Sequence, residues 1–271
     1  MPAVRRWMMA VLMLVSVLPG CGVSHHDDHT IKVGFVPGPY RQEFEEGVAP
    51  QLKQEGYQIV YQEFSDGMVC NDALARGEID ANVMQHRTYL ESTNQRNGTQ
   101  LRALVEVPTP PMGLFSHKRQ TLAPPDHAIV AVPDTAVNLL RALRIMRDAG
   151  WLSFNEEVSP DAISPQDVTA NPHHLKLLQL DAAQGPRALE DADYAAIQGN
   201  FVVSAGLQLK EALALEKADP GFINVVAVDQ HNLDKPFARA IAAAYRSPAV
   251  HRAIEKNPDF KGYMAPNYFP H

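Results

Sequence analysis

IKVGFVPGPYRQEFEEGVAPQLKQEGYQIVYQEF, residues 31–64, holds the pattern that decides the fold. Ile31–Val36 is a compact apolar run closed by Pro37-Gly38-Pro39, and it reads as a strand followed by a turn. Arg41 to Gly56 reads as a helix, because Phe44, Val48 and Leu52 recur every four residues and share one face. Pro50 lies inside that stretch and predicts a kink or a local split, since it removes a backbone donor. Gly56 supplies the stop, and QIVYQEF (58–64) is the next strand. Strand, turn, helix and strand make a βαβ unit.

The pattern continues in both directions along the chain. Asp72 to Arg76 reads as a short helix, Ile79 to Met84 as a strand, His86 to Gln95 as a helix, and LRALVEV (101–107) as a strand. Pro108-Thr109-Pro110-Pro111 is a stiff connector. Strands then recur at 112–116, 128–132, 175–180, 194–197 and 223–228, with helices between them and over roughly 235–256. Asp134-Thr135 stands where a cap belongs, before a helix to Asp148 in which Leu139, Leu143 and Met146 share a face. The alternation predicts an α/β protein with mostly parallel sheets, and the mid-chain connector predicts two lobes. Ligands in such folds lie at the carboxyl ends of strands, often between domains.

Upstream, Arg5 and Arg6 precede a twelve-residue apolar run, Trp7 to Leu18, and then Pro19-Gly20-Cys21. A run that short does not span a bilayer. Residues 1–20 therefore read as a signal peptide, and the layout resembles a bacterial lipobox, which implies cleavage before Cys21 and lipidation of its thiol. Residues 21–30 read as a tether. Its His25, His26 and His29 read as a solvated leash rather than a metal site, because so short a tract lacks a scaffold for ligand geometry.

Composition narrows the function. The 271 residues are 45% apolar and 20% charged, with a formal net charge of −7. That balance argues against nucleic acid, which demands a basic surface. Two cysteines do not make a disulfide scaffold. The chain has no G-x-S-x-G elbow, P-loop, G-x-G-x-x-G, H-E-x-x-H or C-x-x-C. His173-His174 lacks metal-ligand spacing. The expectation is a binding protein that performs no catalysis and carries no cofactor.

Several stretches identify a relationship. VGFVPGPY (33–40), EGYQIVYQEFSD (55–66), NDALARGEIDANVMQHRTYL (71–90), VPTPPMGLFS (107–116), NLLRAL (138–143), LDAAQGPRALEDADYAAIQGN (180–200) and FINVVAV (222–228) occur in order. Together they resemble the methionine-binding lipoprotein family, the MetQ/NlpA type, which serves bacterial ABC importers. The resemblance implies a two-lobed periplasmic-binding-protein fold (type II-like). It also implies a small amino-acid-like ligand and delivery to an inner-membrane permease with a cytoplasmic ATPase. The expected division is lobe 1 over 31–108 plus 225–271 and lobe 2 over 109–224, hinged near 107–111 and 222–228. The protein would sit in the cell envelope, held to a bacterial membrane by its lipid. A lipoprotein of the same fold that senses a ligand or binds a surface, outside import, is the alternative.

The resemblance also implies a site. A zwitterion is costly to bury unless both charges are met. Arg141 matches the family arginine that holds the ligand carboxylate, and a guanidinium fork suits that task. Asn224 matches a family asparagine that hydrogen-bonds the ligand. His86 and Tyr89 occupy the contact positions of Q-H-x-x-Y-L, and their spacing of three places them on one helix face. Three positions depart from the family pattern: Gly67 replaces a tyrosine, Met84 an aromatic, and Gln198 an asparagine. Losing two rings either opens room for a longer ligand, such as a dipeptide or a methionine derivative, or leaves space that flexible Met84 refills. Gln198 reaches one methylene farther toward the ligand backbone.

Overall fold

The computed structural model describes residues 29–269. The signal peptide, Cys21 and nearly all of the tether expected from the sequence lie outside the described residues. No helix among those described is long and apolar enough to cross a membrane.

Two five-stranded sheets organise the molecule. The first contains β1 (Thr30–Phe35), β2 (Gln58–Glu63), β3 (Ala81–His86), β4 (Leu101–Glu106) and β12 (Asn224–Asp229), in the order β2-β1-β3-β12-β4. The second contains β5 (Gly113–Phe115), β6 (Ile129–Pro133), β9 (Lys176–Leu180), β10 (Tyr194–Ile197) and β11 (Ala214–Leu215), in the order β9-β6-β10-β5-β11. With β12 and β5 set apart as the strand n, both orders read 2-1-3-n-4, although the sequence shows no repeat. In each sheet four strands point the same way and one runs against them, β12 in the first and β5 in the second. The expected parallel character therefore holds except at these two strands. Each of them is the first strand after the chain passes from one sheet to the other, so it enters its sheet from the opposite end. A two-stranded ribbon, β7 (Ser153–Phe154) with β8 (Val168–Ala170), completes the sheet structure; two or three residues each are too few to show a period.

The apolar cores divide in the same way. Two clusters draw only on residues between Ile31 and Val107 and between Val225 and Phe269. Two others draw only on residues between Met112 and Phe222.

Local structure departs from the expected helix at 41–56. It is divided into α1 (Tyr40–Glu43), a π turn (Phe44–Val48) and α2 (Ala49–Gln54), with Pro50 in the first turn of α2. Pro cannot donate to the preceding turn, and the wider π turn absorbs that defect while Phe44, Val48 and Leu52 stay fully buried. The next helix, α3 (Gly67–Ala75), begins five residues before the expected Asp72, because Asp66 caps it by accepting from Met68 N at 2.9 Å and Val69 N at 3.0 Å. Likewise β3 runs on to His86 and α4 (Arg87–Asn97) starts one residue later than expected.

The second sheet is flanked by α5 (Ala136–Asp148), α6 (Gly185–Ala188) and α7 (Gly199–Ser204). The chain ends on the first half with α8 (Pro236–Tyr245) and α9 (Pro248–Lys256). Asp134 does not cap α5. Thr135 is the cap residue, and its hydroxyl accepts from Asn138 Nδ2 at 3.0 Å instead of from the helix backbone. Gly199 opens α7 where a Cβ would lie 2.3 Å from the Pro110 carbonyl oxygen, so only glycine lets α7 rest against the connector.

Candidate functional site

The carboxyl ends of β3, β6, β9 and β10 face a cavity of about 420 Å³ between the two halves. Gly67, Met84, His86, Tyr89, Arg141, Gln198 and Asn224 all line it, so the fold brings together every residue singled out from the sequence. Tyr40, Asn138 and Asn200, which the sequence reading passed over, line it as well.

Arg141 lies in the interior of α5 and is only 4% exposed. Leu139, Leu143 and Met146 turn to the core as expected. The polar face of the same helix is also covered, by the returning segment around 216–222. Glu216 accepts from Arg141 Nε at 2.9 Å and from Nη2 at 2.5 Å, and it also accepts from Met112 N at 2.6 Å. Asn138 Oδ1 takes a third N–H, from Nη1 at 3.1 Å. The guanidinium also lies over the Phe222 ring, 5.4 Å from its centroid. The fork expected to be free for a ligand carboxylate is thus already committed on one edge. Of the five guanidinium donors, one N–H on each of Nη1 and Nη2 remains. Glu216 was not anticipated; a lone glutamate after a short strand carries no pattern that marks it.

His86 is the cap of α4 rather than a residue on its face, which corrects the geometry inferred from the three-residue spacing. Its Nδ1 accepts from Tyr89 N at 3.1 Å, so the ring proton sits on Nε2 and donates to Asn138 Oδ1 at 3.1 Å. This bond joins the two halves directly. Burial, followed by the nearby Arg141 charge, pushes the His86 pKa down to about 3. The imidazole is therefore neutral at any ordinary pH. A second bond between halves runs from Asn200 Nδ2 to the Pro37 carbonyl at 3.0 Å, and a third links Thr88 Oγ1 to the Gly221 carbonyl at 2.9 Å.

Behind His86 lies a buried amide network that fixes the end of β3. Asn71 Nδ2 donates to Gln85 Oε1 at 2.8 Å, Gln85 Nε2 returns a bond to Asn71 Oδ1 at 2.6 Å, and Asn82 Nδ2 donates to the same oxygen at 2.9 Å. Buried amides satisfied in this way pin α3 to β3.

Asn224 pairs with His86 across the β3–β12 ladder. Its backbone is satisfied, with N donating to Thr109 Oγ1 at 2.8 Å and O accepting from Val107 N at 2.8 Å. Its side-chain amide is 6% exposed at the residue level and has no hydrogen-bond partner among the described residues. Gln198, the cap residue of α7, likewise buries Oε1 without a partner. An unsatisfied buried polar atom such as Gln198 Oε1 is costly, roughly 1–3 kcal/mol, and both residues line the cavity.

At Gly67 the nearest side chain is Met84. A Cβ built on Gly67 would lie 3.1 Å from Met84 Sδ and 3.6 Å from Tyr89 Oη. The thioether occupies the place beside the glycine.

The NlpA lipoprotein family model matches residues 31–268. Lipoprotein 28 of Escherichia coli (strain K12) is 32% identical over 252 residues, covering 91% of this chain and 92% of its own. The D-methionine-binding lipoprotein MetQ of the same strain is 30% identical over 245 residues, covering 88% and 89%. Among solved structures, a nutrient binding protein from Burkholderia cenocepacia bound to methionine superposes with a TM-score of 0.82 at 34% identity, covering 88% of this chain and 99% of that one. With a shared topology, a cleft between two sheets and a family match over nearly all the described residues, the chain belongs to the NlpA lipoprotein family.

Proposed function

We propose that this protein is a lipid-anchored solute-binding protein that captures a small zwitterionic amino acid and hands it to an ABC importer. Methionine, a methionine-like derivative or a methionine-containing dipeptide is the cargo. The observation that carries the reading is the cavity wall. It holds a buried guanidinium with donors left over, the buried and unpartnered Gln198 Oε1, and the Asn224 amide, which makes no hydrogen bond to another described residue. The remaining Arg141 N–H groups receive the ligand carboxylate, and Asn224 and Gln198 meet its ammonium. The Met84 thioether and the Tyr89 ring take its side chain. No step of chemistry is required of the site. The names of the MetQ relative and the methionine-bound neighbour support the ligand class.

In this reading residues 31–108 with 225–271 form lobe 1 and residues 109–224 form lobe 2, with Cys21 as the lipidated residue. A ligand favours closure only through its extra affinity for the closed arrangement. The His86–Asn138 and Asn200–Pro37 bonds belong to that arrangement and are lost on opening.

Calorimetry of the lipid-free mature chain with L- and D-methionine and methionyl dipeptides tests the proposal. Saturable one-to-one binding that disappears in Arg141→Ala is expected. A folded protein that binds none of them, or an Arg141→Ala variant with undiminished affinity, overturns it.

A further inference from the structure

We infer that Glu216 determines specificity for the cargo: by cancelling the charge of Arg141 from behind the cleft, it makes the site accept a carboxylate only from a ligand that carries its own α-ammonium. The inference rests on the solute-binding reading above and names the residue that sets the net charge of the ligand.

Charge accounting in the cleft carries it. Among the described residues that line the cavity, Arg141 is the one arginine and no lysine occurs. The imidazole of His86, whose Nδ1 accepts from a backbone N–H, adds no charge. Glu216 does not line this cavity. It borders a second one of about 370 Å³ on the other side of the guanidinium, and Arg141 is part of both walls. The paired side chains are buried, 4% exposed for Arg141 and 5% for Glu216. The two carboxylate oxygens take Nε at 2.9 Å and Nη2 at 2.5 Å. Buried charges this close are weakly screened, so Glu216 offsets most of the positive potential that Arg141 would otherwise give the cleft.

The pair thus separates two properties of the guanidinium. Its remaining N–H groups still offer hydrogen bonds to a carboxylate, but its net attraction for an anion is spent. Glu216 is also fixed in place. Its Oε1 accepts from Met112 N at 2.6 Å, where the chain leaves the Pro-rich connector. Swinging it aside when a ligand enters would strand both a backbone N–H and a buried guanidinium. Glu216 acts through Arg141 and not by touching the ligand, which makes it a positioning residue.

Two kinds of ligand meet this arrangement differently. A bare carboxylate gives up the hydration of its charge and finds a cation that is already neutralised, an unfavourable transfer. A zwitterion brings no net charge, and its ammonium is not repelled by an uncompensated guanidinium nearby. A receptor for carboxylates in general would gain nothing from Glu216.

The experiment is a calorimetric titration of the lipid-free mature chain and of its Glu216→Gln variant with two probes. One is methionine; the other is its α-hydroxy analogue, which keeps the carboxylate and thioether and replaces the ammonium by a hydroxyl. Glutamine retains an oxygen for Nη2 and Met112 N and gives up the bond from Nε together with the charge. The parent binds methionine at least about a hundredfold more tightly than the analogue. In Glu216→Gln that preference shrinks by about tenfold or more, because the freed charge attracts the anionic analogue and leaves the neutral zwitterion nearly unaffected. Partial loss of the binding-competent fold scales both apparent affinities by one factor and leaves their ratio alone. A merely structural Glu216 therefore gives an unchanged ratio, and that result overturns the inference. A parent that binds the analogue as tightly as methionine overturns it without any variant and leaves the methionine-binding reading standing. Silence of the parent towards both probes and towards methionyl dipeptides overturns both.

Discussion

The two ends of the cleft are built on different physical terms. At the Arg141 end every strong group is held by other protein groups: Glu216 takes two guanidinium N–H bonds and a backbone N–H, and Asn138 receives both Arg141 and His86. At the Met84 end the wall is a flexible thioether beside a glycine, with Tyr89 close by. The first end is preorganised by directional bonds in a buried setting, where moving one partner strands another. The second is shaped by van der Waals contact, which adjusts cheaply. A site of this form recognises the part common to all amino acids rigidly and the variable part loosely.

The comparison is broken most severely at Glu216. Replacing it by alanine strands a buried guanidinium, and stability measured by urea unfolding falls by about 3–5 kcal/mol. Arg141→Ala strands Glu216 with a similar loss and, in calorimetry, weakens ligand binding at least about thirtyfold. The paired change Arg141→Met with Glu216→Gln recovers most of the stability and none of the affinity, because an uncharged pair of similar volume is not costly to bury. Recovery of binding in that double variant would show that the guanidinium is not a ligand contact.

His86 tests the same end by pH. Its folded pKa, about 3, lies below the ordinary value of 6.5, so the unfolded chain binds the proton more readily. The contribution to stability is complete above pH 6.5 and is lost as pH falls toward 3, at up to about 1.4 kcal/mol per pH unit. His86→Gln removes that portion of the slope. Urea midpoints collected from neutral pH down to about pH 4 reveal it as a flatter profile than the parent's.

Smaller effects belong to the other end. Met84→Ala removes apolar contact and lowers ligand affinity about tenfold, a change of about 1.4 kcal/mol, in the same calorimetric assay. Gly67→Ala places a methyl 3.1 Å from Met84 Sδ, and the thioether swings aside. Its expected effect on affinity is below about 1 kcal/mol. A larger effect than that of Met84→Ala would mean that the loose end is as rigid as the arginine end.

Much of this was legible in the residues. The strand and helix alternation and the mid-chain connector were readable because periodicity and turn chemistry are properties of short segments; the seven lining positions came from the family resemblance. The partners of those positions were not. Asn138 stands three residues before Arg141 on one helix, a spacing that places them side by side, but nothing in the sequence says which bonds they make. Glu216 and Phe222 reach Arg141 only because the chain returns across α5 some 75 positions later. His86 illustrates the boundary between the two kinds of information. Its spacing from Tyr89 was visible, whereas its place as a helix cap depended on where β3 stopped.

What the sequence determined by itself was the α/β pattern and the two-part organisation, since hydrophobic period and turn chemistry act over a few residues; the positions that meet in the cleft were implied by the family resemblance. The folded chain alone decided that the arginine would be shared with a glutamate, that Met84 would settle beside Gly67, and that His86 would bond Asn138 across the cleft. Those outcomes follow from contacts between segments remote in the chain, and such contacts are set by how sheets and helices pack, not by the residues next door.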